Sequence, residues 1–325
     1  MQKHPLYDIF KEKDVLKEEE TFVPLREEMI VRNISPSAHF NKMGCVILAG
    51  GQGTRLGIKG PKGCVELPLK EKKTLFQYLF EKVKGKGNDL PLAIMTSPLN
   101  HQATVDYLSQ HHYFGLTNVS VFSQEMVAVC DDDGNLCGQE RSPDGNGKAL
   151  HHLYSSGIWE KWREQGVEIV QVIPVDNPLA IPFDGELLAV HESEKVELVL
   201  RCVGRKTPTE SLGIVGQTKG RLTVREYSEL THKMEDLTFS LGNTGIFSCT
   251  MDFAKKVSEI DLPWHLAHKQ GEGTWVWKFE TFIFDLFPNA ETFKVLFSDR
   301  KKYFAPIKTL SGPNSLESVT KTLMT

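Results

Sequence analysis

The stretch LAGGQGTRLGIKGPKG, residues 48–63, contains three glycines within four positions directly after an apolar run. Two fixed positive charges follow, Arg55 and Lys62, and Pro61 stiffens the backbone just before Lys62. Glycines allow a backbone to approach a phosphate closely and to direct its N–H groups at the oxygens, while cations neutralise the phosphate charge. The loop is therefore predicted to bind the phosphates of a nucleotide.

The spacing within this loop excludes two common kinds of nucleotide site. A Walker A loop requires G-x-x-x-x-G-K-[ST], and Leu56 stands where the dinucleotide fingerprint G-x-G-x-x-G has its last glycine. What remains is a loop in which Arg55 and Lys62 reach one triphosphate from opposite ends. Such a loop suits nucleotidyl transfer, in which charge builds up on the bridging and leaving oxygens. The alternative is a glycine turn that tightens a strand–helix junction, with both cations solvated.

The hydrophobic pattern predicts the elements that position this loop. Residues 1–40 are rich in charge and predict short helices packed on a larger body. From residue 44 apolar runs alternate with amphipathic segments, which indicates βαβ units and a largely parallel sheet. Strands are predicted at 45–50, 91–97, 119–124 and 168–175, and helices at 75–84, 100–112 and 148–165.

The pattern changes beyond residue 184, where shorter strands predict an antiparallel portion that widens the sheet or covers one side of it. The helices of this half are expected at about 183–195 and 278–287, and the strands at 196–204, 212–217, 221–229, 244–249 and 293–297. A short polar tail follows residue 308.

Composition limits the classes of partner. The 325 residues are 40% hydrophobic and 25% charged with a formal net charge of -4, so the basic excess typical of nucleic-acid binders is missing. No signal peptide and no run of eighteen uncharged apolar residues is recognised, so we expect a cytoplasmic protein with no membrane partner. The six scattered cysteines are interpreted as free buried thiols, and the histidines at 111–112, 151–152 and 265–268 lack matching metal-ligand partners.

Several blocks of the sequence resemble the UDP-N-acetylhexosamine pyrophosphorylases, within the wider UDP-sugar pyrophosphorylase group. The glycine loop with its PKG motif is one block. The others occur in the family's order between about residues 44 and 308: SPDGNGK (142–148), VDN (175–177), TPTESLGIV (207–215), VREYSEL (224–230), LGN (241–243), KFETFIFD (278–285) and FAPIK (304–308).

This resemblance implies an α/β fold: a Rossmann-like nucleotidyltransferase core with a mostly parallel mixed sheet and a small antiparallel sugar-binding portion. We expect an N-terminal helical appendage at 1–43, a catalytic domain at 44–308 and a short tail at 309–325. The catalytic domain is expected to comprise a UTP-binding part, about 44–183, and a sugar-binding part, about 184–308.

The resemblance also implies a reaction, in which UTP and a sugar 1-phosphate give a UDP-sugar and pyrophosphate with Mg²⁺. Its implied site residues fall into four groups by role. They are the catalytic Arg55, Lys62 and Lys308; the nucleotide-binding Gly50, Gly51, Gly53, Gln124, Gly145 and Asn146; the sugar-binding Gly213, Glu226, Tyr227, Asn243 and Phe282; and the metal ligand Asp176.

The residue chemistry agrees with several of these roles. Asp176 follows the apolar run 168–175, at the strand end where open α/β sheets bind ligands, and a hard carboxylate suits Mg²⁺. The alternative is a turn cap with Asn177 and Pro178. Gln124 ends a predicted strand, and its amide offers a donor and an acceptor to uracil. For Phe282 the residue pattern disagrees with the implied sugar-binding role, because Phe282 fits an apolar helical stripe, which favours a core position.

The sequence is compatible with other functions. The resemblance implies N-acetylglucosamine 1-phosphate as the sugar substrate. Glucose 1-phosphate or several sugar phosphates are alternatives, because one pocket substituent changes binding by only a few kcal/mol. A catalytically silent UDP-sugar-binding protein is a further alternative. Lys148 replaces a glycine usual in the family, and EMVAVC (125–130) departs from its Gly-Met-Leu-Pro. The oligomeric state is open, and a monomer is compatible with the sequence.

Overall fold

A computed structural model describes residues 2–12, 21–208, 210–226, 240–271, 273–312 and 314–324. The strands are β1 Phe22–Val23, β2 Ile30–Val31, β3 Met43–Leu48, β4 Glu66–Leu67, β5 Lys73–Thr74, β6 Leu92–Thr96, β7 Val119–Ser123, β8 Met126–Cys130, β9 Leu136–Pro143, β10 Ile169–Pro174, β11 Leu198–Gly204, β12 Ile214–Thr218, β13 Arg221–Arg225, β14 Leu241–Thr250, β15 His265–Gln270, β16 Trp275–Glu280 and β17 Phe293–Ser298. 

The α-helices are α1 Tyr7–Lys11, α2 Leu75–Lys84, α3 His101–Gln110, α4 Ala149–Ser155, α5 Ile158–Glu164, α6 Gly185–Glu194, α7 Met251–Val257, α8 Arg300–Tyr303 and α9 Leu316–Leu323. Short 3₁₀ segments occur at Glu27–Met29, Phe40–Lys42, Thr54–Leu56, Lys62–Cys64, His112–Gly115 and Ile283–Asn289. Across the described ranges, no helix is both long and apolar enough to span a membrane.

The central sheet is mixed and mostly parallel, as predicted. Its strands run in the order β2-β17-β11-β14-β10-β3-β6-β7. Strands β10, β3, β6 and β7 are mutually parallel, whereas β14 is antiparallel to both of its neighbours, β10 and β11. Strands β12 and β13 add an antiparallel extension beside β14. Helices cover both faces, so nearly every residue of β3, β6 and β10 is buried.

A separate antiparallel sheet has the order β15-β16-β8-β9. The predicted small antiparallel portion therefore exists, but β8 and β9 come from residues 126–143, before the expected division near residue 184. The loop after β9 joins this sheet to the chain beyond β16 through a bridge between Gly145 and Thr281.

Two predicted helices are corrected by the structure. Residues 278–280 of the expected helix at 278–287 belong to β16, and a 3₁₀ segment begins only at Ile283. Aromatic and β-branched residues favour a strand here, and pairing with β15 satisfies the backbone. The single helix predicted at 148–165 is two helices, because Gly157 adopts φ 75° between α4 and α5.

The two ends of the chain also differ from expectation. The described part of 1–43 contains one five-residue helix, and its strands β1 and β2 pair with β12 and β17 at sheet edges. Prolines 24 and 36 restrict the preceding residues to extended backbone, which limits helix formation. The expected polar tail forms α9, whose Val319 is buried in the main core.

Apolar clusters pack on the two faces of the central sheet. One apolar cluster includes α2 and α6, and the other includes α4 and α7 around the fully buried Trp162. A Cβ at Gly44 of β3 would lie 2.3 Å from the Trp162 ring, so only glycine allows this close approach. Strands β3 and β10 are parallel and pair up to Leu48 and Pro174, so their carboxyl ends lie side by side at one edge of the sheet.

Candidate active site

The glycine loop leaves the carboxyl end of β3 and returns to it. The Lys62 N–H donates to the Gly51 carbonyl at 3.0 Å, and the Gly53 N–H donates to the Gly60 carbonyl at 2.9 Å. A Cβ at Gly53 would lie 2.3 Å from Ile58, whereas Gly51 has open space around it. Gly53 therefore allows the loop to close, and Gly51 leaves backbone accessible to a ligand.

Loop closure brings Lys62 to the end of the neighbouring strand β10. Its Nζ lies 2.7 Å from Oδ2 of Asp176, two residues beyond β10, and the side chains are 18% and 23% exposed. This ion pair joins a cation and a carboxylate that are far apart in sequence. It is partly solvated, so both groups remain accessible to a ligand.

Lys308 reaches the same place from near the end of the chain. The Ile307 N–H donates to the Asp176 carbonyl at 2.8 Å, and the Lys308 N–H donates to the Asn314 carbonyl at 2.8 Å. These bonds hold the 307–308 backbone beside the end of β10.

Gln124, at the end of β7, joins the glycine loop to the loop after β9. Its Nε2 donates to the Gly145 carbonyl at 2.9 Å, and a Cβ at Gly50 would lie 2.2 Å from its Oε1. The amide donor expected to be available to uracil is thus engaged with the protein. Next along the loop, Asn146 accepts a hydrogen bond from the Ile283 N–H at 3.0 Å through Oδ1.

A cavity of about 720 Å³ lies between these loops and the antiparallel sheet. Ten of the sequence-predicted residues line it: Gly50, Gly51, Arg55, Lys62, Gln124, Gly145, Asn146, Asp176, Phe282 and Lys308. Phe282, expected on periodicity to lie in the core, packs on the rings of His265 and Phe284 at centroid distances of 4.6 and 5.1 Å. Its core interpretation is therefore wrong.

The antiparallel sheet adds charged residues that sequence reasoning missed. Lys269 of β15 and Lys278 and Glu280 of β16 line the cavity, and Lys269 Nζ lies 2.8 Å from Glu280 Oε1. The helix predicted over 278–287 concealed Lys278 and Glu280, whereas no element was predicted over Lys269. Read with the two-residue period of a strand, WVWKFE places Lys278 and Glu280 on one face, which is the signal that could have found them.

Apart from Phe282, the described residues predicted to bind the sugar form a second group, which lies outside the lining of this cavity. The Asn243 N–H donates to the Gly213 carbonyl at 2.8 Å, and a Cβ at Gly213 would lie 3.5 Å from Glu226 Oε1. Val172 of β10 pairs with Phe247 of β14, and β14 runs antiparallel, so Asn243 lies toward the end of β10 that leads to Asp176. Tyr227 lies outside the described residues.

The residue that departs from the family pattern, Lys148, lies beside the loop after β9. Its Nζ is 3.2 Å from Glu125 Oε2 and 3.6 Å from Asp144 Oδ2. The hydrogen bond from Lys148 lowers the pKa of Glu125, whereas burial raises the pKa of Asp144 against the opposing charge of Lys148. This cluster of charges ties the loop to the β7–β8 turn.

Comparison with known families identifies the chain's relationship. Residues 9–321 match the family described as UTP–glucose-1-phosphate uridylyltransferase. The chain belongs to this family. The match includes the cavity and the Gly213–Glu226–Asn243 group, so the whole candidate site lies within the uridylyltransferase-family region.

Individual members resemble the chain over most of its length. UDP-N-acetylglucosamine diphosphorylase 1 of Arabidopsis thaliana is 34% identical over 311 residues, which cover 84% of this chain and 62% of that protein. UDP-N-acetylglucosamine pyrophosphorylase of Saccharomyces cerevisiae is 31% identical over 315 residues, covering 83% of this chain and 65% of that protein. The chain thus spans less than two thirds of the length of these two relatives.

The fold agrees with this family assignment. A crystal structure of a candidate UDP-N-acetylglucosamine pyrophosphorylase from Entamoeba histolytica superposes with a TM-score of 0.79 at 25% sequence identity. The superposition covers 87% of this chain and 80% of that one. The mixed central sheet with a separate antiparallel sheet is therefore similar to the architecture of that structure.

Proposed function

We propose that this chain is a uridylyltransferase that makes UDP-N-acetylglucosamine and pyrophosphate from UTP and N-acetylglucosamine 1-phosphate. The observation that carries the proposal is the meeting of Lys62, Asp176 and Lys308 in one cavity with the glycine loop. The proposal includes the cytoplasmic location expected from the sequence. The similarity to the Arabidopsis and yeast proteins supports the N-acetylated sugar.

The charge of the cavity suits two phosphate-bearing substrates. Its lining contains five cations against two carboxylates: Arg55, Lys62, Lys269, Lys278 and Lys308 against Asp176 and Glu280. A sugar phosphate and a triphosphate repel each other, so cations between them are needed to bring them into contact. A pocket with this charge is poorly suited to a neutral ligand.

The residues of the cavity fit Mg²⁺ bound together with a nucleotide. Among the described residues, no cluster of three or more His, Cys, Asp or Glu side chains could hold a metal ion. Mg²⁺ usually binds through one or two carboxylates, several waters and substrate phosphates, which is compatible with the single carboxylate of Asp176 at the end of β10. Asp176 would hold the ion, which when bound supplies positive charge to phosphate oxygens.

The chain's own residues would contribute positioning and charge. Arg55 and Lys62 would hold the β- and γ-phosphates and stabilise the departing pyrophosphate, while Lys308 would draw the sugar phosphate toward the α-phosphorus. An oxygen of the sugar phosphate then forms the new P–O bond in line as the bond to the bridging oxygen of pyrophosphate breaks. The attacking phosphate is already an anion at neutral pH, so no general base is required.

The sugar would rest near Gly213, Glu226 and Asn243. The side chain of Glu226 can accept hydrogen bonds from sugar hydroxyls, and the amide of Asn243 can both donate and accept. A second candidate is a glucose-1-phosphate uridylyltransferase, because the family profile that matches the chain has that description. The difference between the two substrates is one acetamido group.

Pyrophosphate release by the purified chain tests the proposal. The assay contains UTP and Mg²⁺ and compares N-acetylglucosamine 1-phosphate, N-acetylgalactosamine 1-phosphate and glucose 1-phosphate. We expect the highest kcat/KM with N-acetylglucosamine 1-phosphate. A preference for glucose 1-phosphate would favour the second candidate, and UTP binding without release from any sugar phosphate would indicate a binding protein.

A further inference from the structure

We propose that Asn177 is a positioning residue that holds the backbone of Lys308 at the cavity beside Asp176, an inference that rests on the uridylyltransferase function proposed above. Asn177 directly follows Asp176 and is completely buried. Its Nδ2 donates to the Tyr303 carbonyl at 2.8 Å, and its Oδ1 accepts from the Ala305 N–H at 3.0 Å. One side chain thus clasps the backbone that leads into Lys308.

The clasp requires a carboxamide. Asn combines a donor and an acceptor at the end of a short side chain, whereas Asp at neutral pH has acceptors alone. An aspartate at position 177 would direct a buried anionic oxygen at the Tyr303 carbonyl and lose the bond to it. Leaving buried polar groups without partners is costly, so the backbone at 303–305 would move.

The turn that carries the clasp is itself fixed. The Asn177 N–H donates to the Pro174 carbonyl at 3.4 Å, and the Ala180 N–H donates to the Asn177 carbonyl at 2.9 Å. Oδ1 of Asn177 also accepts from the Leu179 N–H at 3.2 Å. The hydrogen bonds of this turn therefore orient the side-chain amide of Asn177 independently of the 303–308 segment.

The segment is anchored at both ends. At its start, the Tyr303 hydroxyl donates to Glu186 Oε2 at 3.0 Å, and the fully buried Arg201 guanidinium lies 3.9 Å from the Tyr303 ring centroid. Burial raises the pKa of Tyr303 to about 12, so this hydroxyl remains a donor. Near its end, the Ile307 N–H donates to the Asp176 carbonyl at 2.8 Å.

Asp176 and Asn177 therefore act as a pair. Asp176 places its carboxylate in the cavity, and Asn177 fixes the segment that brings Lys308 to the same cavity. Displacing a reacting or stabilising group by about 1 Å can cost about a hundredfold in rate. Loosening the clasp should therefore lower kcat through Lys308, with little effect on UTP binding through the glycine loop.

The test compares Asn177→Asp in the unsubstituted chain and in a Lys308→Ala background, by pyrophosphate release and by calorimetric UTP binding. We expect Asn177→Asp to lower kcat by about 10- to 100-fold and to change the KM for UTP by less than about threefold. In the Lys308→Ala background the same substitution should lower kcat by less than about threefold, because residues that act through one group are non-additive.

Two further variants separate positioning from general damage. Asn289→Asp changes an amide that donates to the Leu286 carbonyl at 3.0 Å in a 3₁₀ segment outside the cavity, and should leave kcat unchanged. Tyr303→Phe keeps the ring but removes the bond to Glu186, so it tests the anchor should Asn177→Asp fail to fold. Its loss of kcat should be smaller and should also disappear in the Lys308→Ala background.

The outcomes distinguish this inference from the function on which it rests. Losses from Asn177→Asp or Tyr303→Phe that persist in full with Lys308→Ala would overturn the positioning role while leaving the uridylyltransferase proposal standing. An unchanged kcat for Asn177→Asp would do the same. Absence of pyrophosphate release by the unsubstituted chain, with measurable UTP binding, would remove both proposals.

Discussion

The two walls of the cavity are built in different ways. The strand-end wall consists of Gly50, Gly51, Arg55, Lys62, Asp176 and Lys308, and the sheet wall consists of Gly145, Asn146, Lys269, Lys278, Glu280 and Phe282. Most residues of the strand-end wall follow β3 and β10, two adjacent parallel strands whose carboxyl ends lie side by side. The second depends on the pairing of distant segments through the Gly145–Thr281 bridge.

This difference in construction suggests a difference in role. In the proposed reaction, the strand-end wall holds the charges nearest the bonds that form and break, so changes there should lower kcat. In the same proposal the sheet wall would cover the nucleotide, so changes there should raise the KM for UTP with less effect on kcat. Each of the following substitutions tests that division.

Asp176→Asn should have the largest effect. The substitution keeps the shape of the side chain but removes its charge, and loss of several kcal/mol of metal-supported stabilisation corresponds to at least about a thousandfold in kcat. The measurement is pyrophosphate release during a Mg²⁺ titration. Asp252→Asn, an exposed carboxylate paired with Arg163, is the control and should behave as the unsubstituted chain does. An unchanged metal titration for Asp176→Asn would contradict its role as a ligand.

Lys62→Ala should lower kcat by about 10²- to 10³-fold, the usual cost of losing one preorganised donor to developing charge. UTP binding, measured by calorimetry, should weaken by no more than about tenfold, because Arg55 and the loop backbone remain. Lys59→Ala is the matched control: Lys59 is an exposed lysine of the same loop. Near-normal turnover of Lys62→Ala would remove this residue from the mechanism and with it the kinetic distinction between the walls.

The strand-end wall and the sheet wall also differ in how well the sequence predicts them. The glycine loop and Asp176 are recognisable because each follows an apolar strand within a few residues, and parallel strands bring such loops together. Lys62 is recognisable as the cation that closes the motif of the same loop. Lys308 was found through its resemblance to a family motif, since no local pattern indicates that the chain returns there. Lys278 lies in a strand because that strand pairs with β15. The sequence does not show this pairing, and the apolar pattern of the residues after Lys278 predicted a helix instead.

Gly145→Ala tests the sheet wall. Gly145 has φ +87°, and a Cβ there would lie 2.2 Å from the Thr281 carbonyl oxygen, so the bridge must shift. We expect the KM for UTP to rise about tenfold, the equivalent of 1.4 kcal/mol, with kcat within about threefold of the original. Gly157→Ala, with φ +75° and open space around it, should lower Tm without changing this KM. A fall in kcat with an unchanged KM would instead show that the two walls do not have separate kinetic roles.

Lys148→Met should have the smallest effect, because its bond to the 62% exposed Glu125 is worth about 0.2–1 kcal/mol. We expect the KM for UTP to rise about two- to threefold and Tm to fall slightly. The pH dependence identifies the cause. The lowered pKa of Glu125 means that its carboxylate stabilises the fold at neutral pH and loses this contribution as pH falls. Ionisation of the buried Asp144 is unfavourable, and more so without Lys148, but this cost disappears when Asp144 is protonated. The Asp144 part of the Tm difference should therefore shrink as pH falls through the raised pKa of Asp144, and the Glu125 part only as pH falls below about 4.3, the ordinary pKa of a glutamate. A difference that stays constant through this acid range would mean that Lys148 contributes packing alone.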